Sequence, residues 1–90
     1  MGIALIKIKI MPSSPEVNLE ELKAKAKETI EKQQGKITNV NEEPIAFGLK
    51  AVIVSFELDE SKELEMIENE LKKIENINSV QVIDMRRAFG

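Results

Sequence analysis

The sequence predicts an α+β domain in the order β-α-β-β-α-β, and three observations predict it. The apolar period switches along the chain between two and about 3.6, marking six alternating segments. Each helical segment carries a single apolar stripe, so each packs on one surface only. Of the four strand segments, the first and third are the most apolar, which places them at the centre of a sheet. Right-handed crossovers then put both helices on the same sheet face. The result is a ferredoxin-like split βαβ sandwich: a four-stranded antiparallel sheet, strands two and four at its edges, with two helices on one face.

Each element has its own signal. Residues 3–11, "IALIKIKIM", form a strand with Ala4, Ile6, Ile8 and Ile10 on one face and Lys7 and Lys9 on the other. "PSSPEV" breaks it with two prolines. Asn18 is the predicted N-cap of a helix over 19–33, Glu20 and Glu21 suit the positive end of its dipole, and Gly35 is its predicted stop. Leu19, Leu22, Ala26 and Ile30 form its apolar stripe. Residues 36–43 read as a weak edge strand ending at Pro44, where a missing N–H is tolerated. Residues 49–58, "LKAVIVSFEL", form the strongest strand: Val52, Val54, Phe56 and Leu58 share one face, and Ala51, Ile53 and Ser55 the other. "DESK" leads, with Asp59 or Ser61 as cap, into a second helix over 62–75 marked by Leu64, Ile67, Leu71 and Ile74. A last strand covers 77–85, and "RRAFG" follows it.

Composition narrows the chemistry. Ninety residues are enough for one small domain, residues 1–90. The chain has no Cys and no His, which excludes a disulfide partner, zinc sites, cysteine nucleophiles and His-based triads. No apolar stretch nears the roughly 18 residues of a membrane span, and Lys7 and Lys9 interrupt any signal-like run. The expectation is a cytoplasmic protein with no membrane contact. A net charge of −3 with 3% aromatics, all Phe, argues against a dedicated nucleic-acid binder. Richness in Lys, Glu and Ile hints at a thermophile.

Most candidate chemistry dissolves on inspection. Glu42 and Glu43 are adjacent on an extended segment, so they point to opposite faces and do not converge as a catalytic pair; a solvated loop explains them. The helix acids and bases sit three and four apart, as solvent-face ion pairs do. No base activates the serines of "PSSPEV", and Gly48 alone makes no phosphate loop. No enzyme signature, metal site or cofactor site appears. Two features remain. "PIAFG" places Phe47 beside Gly48 at the tip between strands two and three, where Phe47 is either a displayed anchor or a lid folded over the core. "MRRAFG" gathers both arginines, Arg86 and Arg87, with a further Phe, as either a displayed cation and aromatic at a sheet edge or a frayed basic tail.

"IKIMPSSPEVNLEEL", "EEPIAFGLKAVIV" and "INSVQVIDMRR" resemble the short archaeal form of the translation elongation factor 1-beta family, and are similar to the C-terminal catalytic domain of its eukaryotic members. The resemblance covers essentially the whole chain, and "PIAFGLK" is its most specific piece. It implies the fold derived above and a guanine-nucleotide exchange activity toward the GTPase elongation factor 1-alpha, with no covalent chemistry of its own. It implies partner contacts at Phe47 and at Arg87, and with their neighbours Gly48 and Arg86 from the two motifs these make the candidate partner-binding set. In the eukaryotic relatives a Lys near the C-terminus reaches toward the Mg²⁺ and phosphate region of the GTPase. Arg87 stands at that position here, a departure, because Arg is planar and bulkier than Lys. The eukaryotic N-terminal region has no counterpart in this chain, so the partners it recruits are not implied.

Two other readings compete. A ferredoxin-like module binding an amino acid lacks the Gly-rich turn after strand one. An RNA-binding sheet gains from Lys7 and Lys9 but lacks stacking aromatics on its central strands.

Overall fold

Alternation and turn chemistry produce six elements: β1 (Ile3–Pro12), α1 (Leu19–Lys32), β2 (Lys36–Pro44), β3 (Lys50–Asp59), α2 (Leu64–Lys72) and β4 (Ile77–Phe89). They are seen in a computed structural model that describes residues 2–89, the Phe89 side chain excepted. The strands form one antiparallel sheet in the order β2-β3-β1-β4. The ferredoxin-like topology is therefore as the sequence predicts, with β1 and β3 central.

The core lies between the sheet and the helix layer. Ile6, Ile8 and Ile10 of β1 meet Val52, Val54, Phe56 and Leu58 of β3, with Val80 of β4 beside them. Leu22, Ala26 and Ile30 of α1 and Ile67 and Leu71 of α2 close it from above. Directly opposed residues in antiparallel strands share a face, so the pairs Ile6 with Phe56 and Ile8 with Val54 stack as layers of that core.

Local signals set most boundaries. The Asn18 carboxamide accepts from the Glu21 N–H at 3.2 Å, capping α1 as predicted. The stop of α1 differs in detail. Gln34, not Gly35, takes the left-handed conformation (φ 69°). The Gln34 N–H reaches the Glu31 carbonyl and the Gly35 N–H reaches that of Ile30, the paired bonds of a Schellman ending. Gly35 is needed for space: a Cβ there would stand 2.5 Å from Cγ2 of Ile30 and 3.2 Å from the Phe56 ring.

Two further elements differ from expectation. Helix α2 is shorter than 62–75, and neither Asp59 nor Ser61 caps it; Glu63 is its first flanking residue and makes no side-chain cap bond. Asp59 instead closes the preceding turn, its carboxylate accepting from the Ser61 N–H at 2.8 Å. Strand β4 runs on to Phe89 rather than ending at residue 85, because β1 begins at Ile3 and supplies a ladder for it: Leu5 pairs with Arg86 and Ala4 with Arg87. The two arginines therefore belong to a paired strand and not to a frayed tail.

Candidate functional site

The β2–β3 connection begins with Pro44 opposite Lys50. Beyond that pair the Leu49 N–H donates to the Ala46 carbonyl at 3.1 Å, closing a turn with Phe47 and Gly48 at its centre. Both central residues have positive φ, 60° at Phe47 and 79° at Gly48, the pattern of a type I′ turn. Asn, Asp or Gly suits the first central position, and a bulky side chain there costs about 1–2 kcal/mol. Phe47 returns none of this through burial, since it is 95% exposed. The lid alternative is thus excluded by geometry: Phe47 stands clear of the core on a strained turn. Gly48 is required by its backbone angle, with the nearest atom to an added Cβ being Pro15 at an ordinary 3.9 Å.

The root of this hairpin is tied to α1. Glu42 does not lie in a solvated loop. It lies in β2, where its carboxylate bonds Lys23 Nζ at 2.5 Å and lies 3.9 Å from Lys50 Nζ. The hydrogen bond from Lys23 is the main cause that holds the Glu42 carboxyl below its usual range, and the same bond raises Lys23.

Arg86 and Arg87 diverge. Arg86 shares a face with Leu5 on the sheet side away from the helices, and its Nε lies 3.1 Å from an Asp84 carboxylate oxygen. There it lines a shallow groove of about 290 Å³ with Leu5, Lys7, Thr38, Ser55 and Asp84. Both edge strands bulge beside this groove, at Thr38 in β2 and Ile83 in β4, next to the Lys7–Ser55 row. Arg87 shares the helix-side face with Ala4, and its guanidinium makes a two-pronged contact with Glu60, Nε to Oε2 at 2.6 Å and Nη2 to Oε1 at 2.9 Å. That contact is the main cause lowering the Glu60 carboxyl and raising Arg87. A second groove, of about 350 Å³, opens beside it with an apolar floor that includes Leu58, Leu64 and Met85. Met85 there is 56% exposed although it pairs with core residue Ile6.

The predicted site residues consequently fall into two groups. Phe47 and Gly48 are at the end where β3 begins, and Arg86 and Arg87 are at the end where it finishes, with Leu58 opposite Ala4 and Ala4 opposite Arg87. Eight residue steps along β3 lead from Lys50 to Leu58, roughly 25 Å at strand spacing. Glu60, Asp84 and Met85 carry no sequence-local signal of a role, because the groups they meet arrive from other elements. Among the described residues no group of three or more acids gathers as a metal site. No helix there is long and apolar enough to cross a membrane.

Comparison with known proteins adds the decisive observation. The family model described as the EF-1 guanine nucleotide exchange domain matches residues 5–88. The chain belongs to that family. It is 46% identical over 89 residues to elongation factor 1-beta of Methanocaldococcus jannaschii, covering 98% of this chain and 100% of that protein. It is 43% identical to elongation factor 1-beta of Methanosarcina barkeri, covering 97% of this chain and 99% of that one. These archaeal relatives and the matched domain support a role as an EF-1 nucleotide exchange factor. Solved structures confirm the fold alone. The 30S ribosomal protein S6 of Thermotoga maritima is similar with a TM-score of 0.66 at 22% identity, over 97% of this chain and 88% of that one. The ACT domain from the GTP pyrophosphokinase of Chlorobium tepidum is similar with a TM-score of 0.64 at 15% identity, over 88% of this chain and 96% of that one.

Proposed function

We propose that this protein is a single exchange domain, residues 1–90, that promotes GDP release and GTP loading on the GTPase elongation factor 1-alpha in the cytoplasm, in support of polypeptide elongation. The observation that carries this reading is the exchange-domain match from residue 5 to 88, which spans both ends of the sheet. The protein performs no covalent step. It acts by binding the nucleotide-free GTPase more tightly than the nucleotide-bound form, and linkage then requires that it weaken nucleotide binding by the same factor. A coupling of about 4 kcal/mol corresponds to roughly a thousandfold weaker GDP binding.

The two ends of the sheet divide the work. Phe47 is the anchor: a rigid aromatic displayed on a tight turn loses little conformational freedom when a partner pocket receives it. Arg87 acts at the other end, where its positive charge displaces the Mg²⁺ of the bound nucleotide or competes with it for its carboxylate ligands. Arg86 faces the opposite side of the sheet and contributes at the periphery of that contact. The partner must therefore be held at two places roughly 25 Å apart.

The test is release of labelled GDP from the cognate GTPase by catalytic amounts of this protein. Accelerated release supports the reading, and unchanged release at saturating protein contradicts it.

A further inference from the structure

Arg87 would be a poor tool if its side chain were free. It projects from the edge strand β4 beside an open groove, and binding would have to freeze its rotatable bonds. Glu60 removes that freedom. The carboxylate takes two of the five guanidinium N–H donors, through Nε at 2.6 Å and Nη2 at 2.9 Å, a geometry that sets both the position and the plane of the fork. The Arg87 side chain remains 64% exposed while that of Glu60 is 31% exposed, so the acid supports the cation from below without covering it.

Glu60 is itself held in place. It directly follows β3, and its N–H donates to the Gly2 carbonyl at 3.0 Å, pinning it to the start of β1. On its flanks the Asp59 carboxylate accepts from the Ser61 N–H at 2.8 Å, and the Lys62 N–H donates to the Asp59 carbonyl at 2.9 Å. A closed turn thus carries the carboxylate, and the carboxylate carries the arginine.

We infer that Glu60 is the positioning residue for Arg87, holding the guanidinium ready for the partner so that its ordering is completed in folding and not at the moment of exchange. This rests on the reading that Arg87 acts at the nucleotide end of the GTPase, and it adds a residue that neither the sequence motifs nor the family match singles out. It also opposes the alternative in which Glu60 masks the cation and the partner must pull them apart.

The experiment measures GDP release against concentration of the full chain, separating the maximal rate from the half-saturating concentration. Glu60→Ala is expected to lower the maximal rate by about two- to tenfold, the range for freeing one long side chain. The half-saturating concentration stays within about twofold, because the Phe47 anchor is untouched. Glu60→Asp, which retains the charge, recovers part of the loss, and Glu60→Ala has no further effect in an Arg87→Ala background. A purely structural role would instead depress both backgrounds equally. An equal loss in both backgrounds, or a Glu60→Ala protein as fast as or faster than the native one, overturns the inference. If native protein accelerates release and Arg87→Ala matches it, the role of Arg87 falls together with that of Glu60, and exchange itself stands. If native protein does not accelerate release, all three fall.

Discussion

Phe47 and Arg87 occupy opposite ends of the same sheet, one on the β2–β3 turn and the other opposite Ala4 at the start of β1. Their separation is roughly 25 Å along β3, so in the proposed function they meet different parts of the partner. Removing one should therefore change a different kinetic quantity from removing the other.

At Phe47 the turn favours a residue other than the one the proposed anchor role needs. Phe47→Asn replaces an aromatic in a left-handed position with a residue that tolerates it, so thermal stability should hold or rise slightly. Loss of an exposed anchor of hot-spot strength, about 2 kcal/mol, should raise the half-saturating concentration in nucleotide release about thirtyfold. A drop in melting temperature with unchanged affinity would show that Phe47 serves the fold.

At the other end, Arg87→Ala should reduce the maximal release rate while leaving the half-saturating concentration close to native. Arg87→Lys keeps the charge but loses the fork that meets Glu60, so it should fall between the two. A rate for Arg87→Lys below that for Arg87→Ala would contradict a charge-based role.

Packing under α1 gives a prediction independent of function. Gly35→Ala drives a Cβ to 2.5 Å from Ile30 Cγ2 and 3.2 Å from the Phe56 ring, and should destabilise by about 1–3 kcal/mol in denaturant titration. Phe56→Ala, which empties a fully buried site, should cost about 3–5 kcal/mol. Neutral behaviour of Gly35→Ala would mean that the α1 ending relaxes around the methyl.

Acid should loosen the same ties that organise the two ends. Glu42, Asp59 and Glu60 are all held below their ordinary values, by the Lys23 hydrogen bond, the Ser61 N–H and the Arg87 hydrogen bond respectively. A carboxyl lowered in the folded state contributes stability that is fully present above its unfolded value and is lost as pH falls through the folded one. Stability should accordingly decline below about pH 4.5, where these groups begin to protonate in the unfolded chain. Glu42→Gln should flatten part of that decline in denaturation followed against pH. Lys23 is raised by the same contact, so its share persists through neutral pH and is lost only as pH rises through its elevated value.

The fold was legible because its signals are local. Alternation in "IALIKIKIM", the Asn18 cap and the continuous run in β3 each act within a few residues, and all three appear where they were expected. The boundaries that moved depend on distant partners. Strand β4 extends through Arg86 and Arg87 because β1 begins early enough to pair with them, a fact invisible in "RRAFG" itself. Asp59 looked like a helix cap because cap and turn chemistry use the same side chain. The exposure of Phe47 could not be read from its hydrophobicity, only from the turn that carries it. Glu60 gave no signal at all, since its meaning comes from an arginine 27 residues away.

The central claim is nucleotide exchange, and one measurement tests it most directly. Labelled GDP bound to the cognate elongation factor 1-alpha is chased with unlabelled nucleotide in the presence of this protein at a small fraction of the GTPase concentration. Exchange catalysis predicts that each molecule releases many GDP molecules and that the release rate rises with its concentration to a plateau. Release at the spontaneous rate, even at saturating protein, would contradict the account.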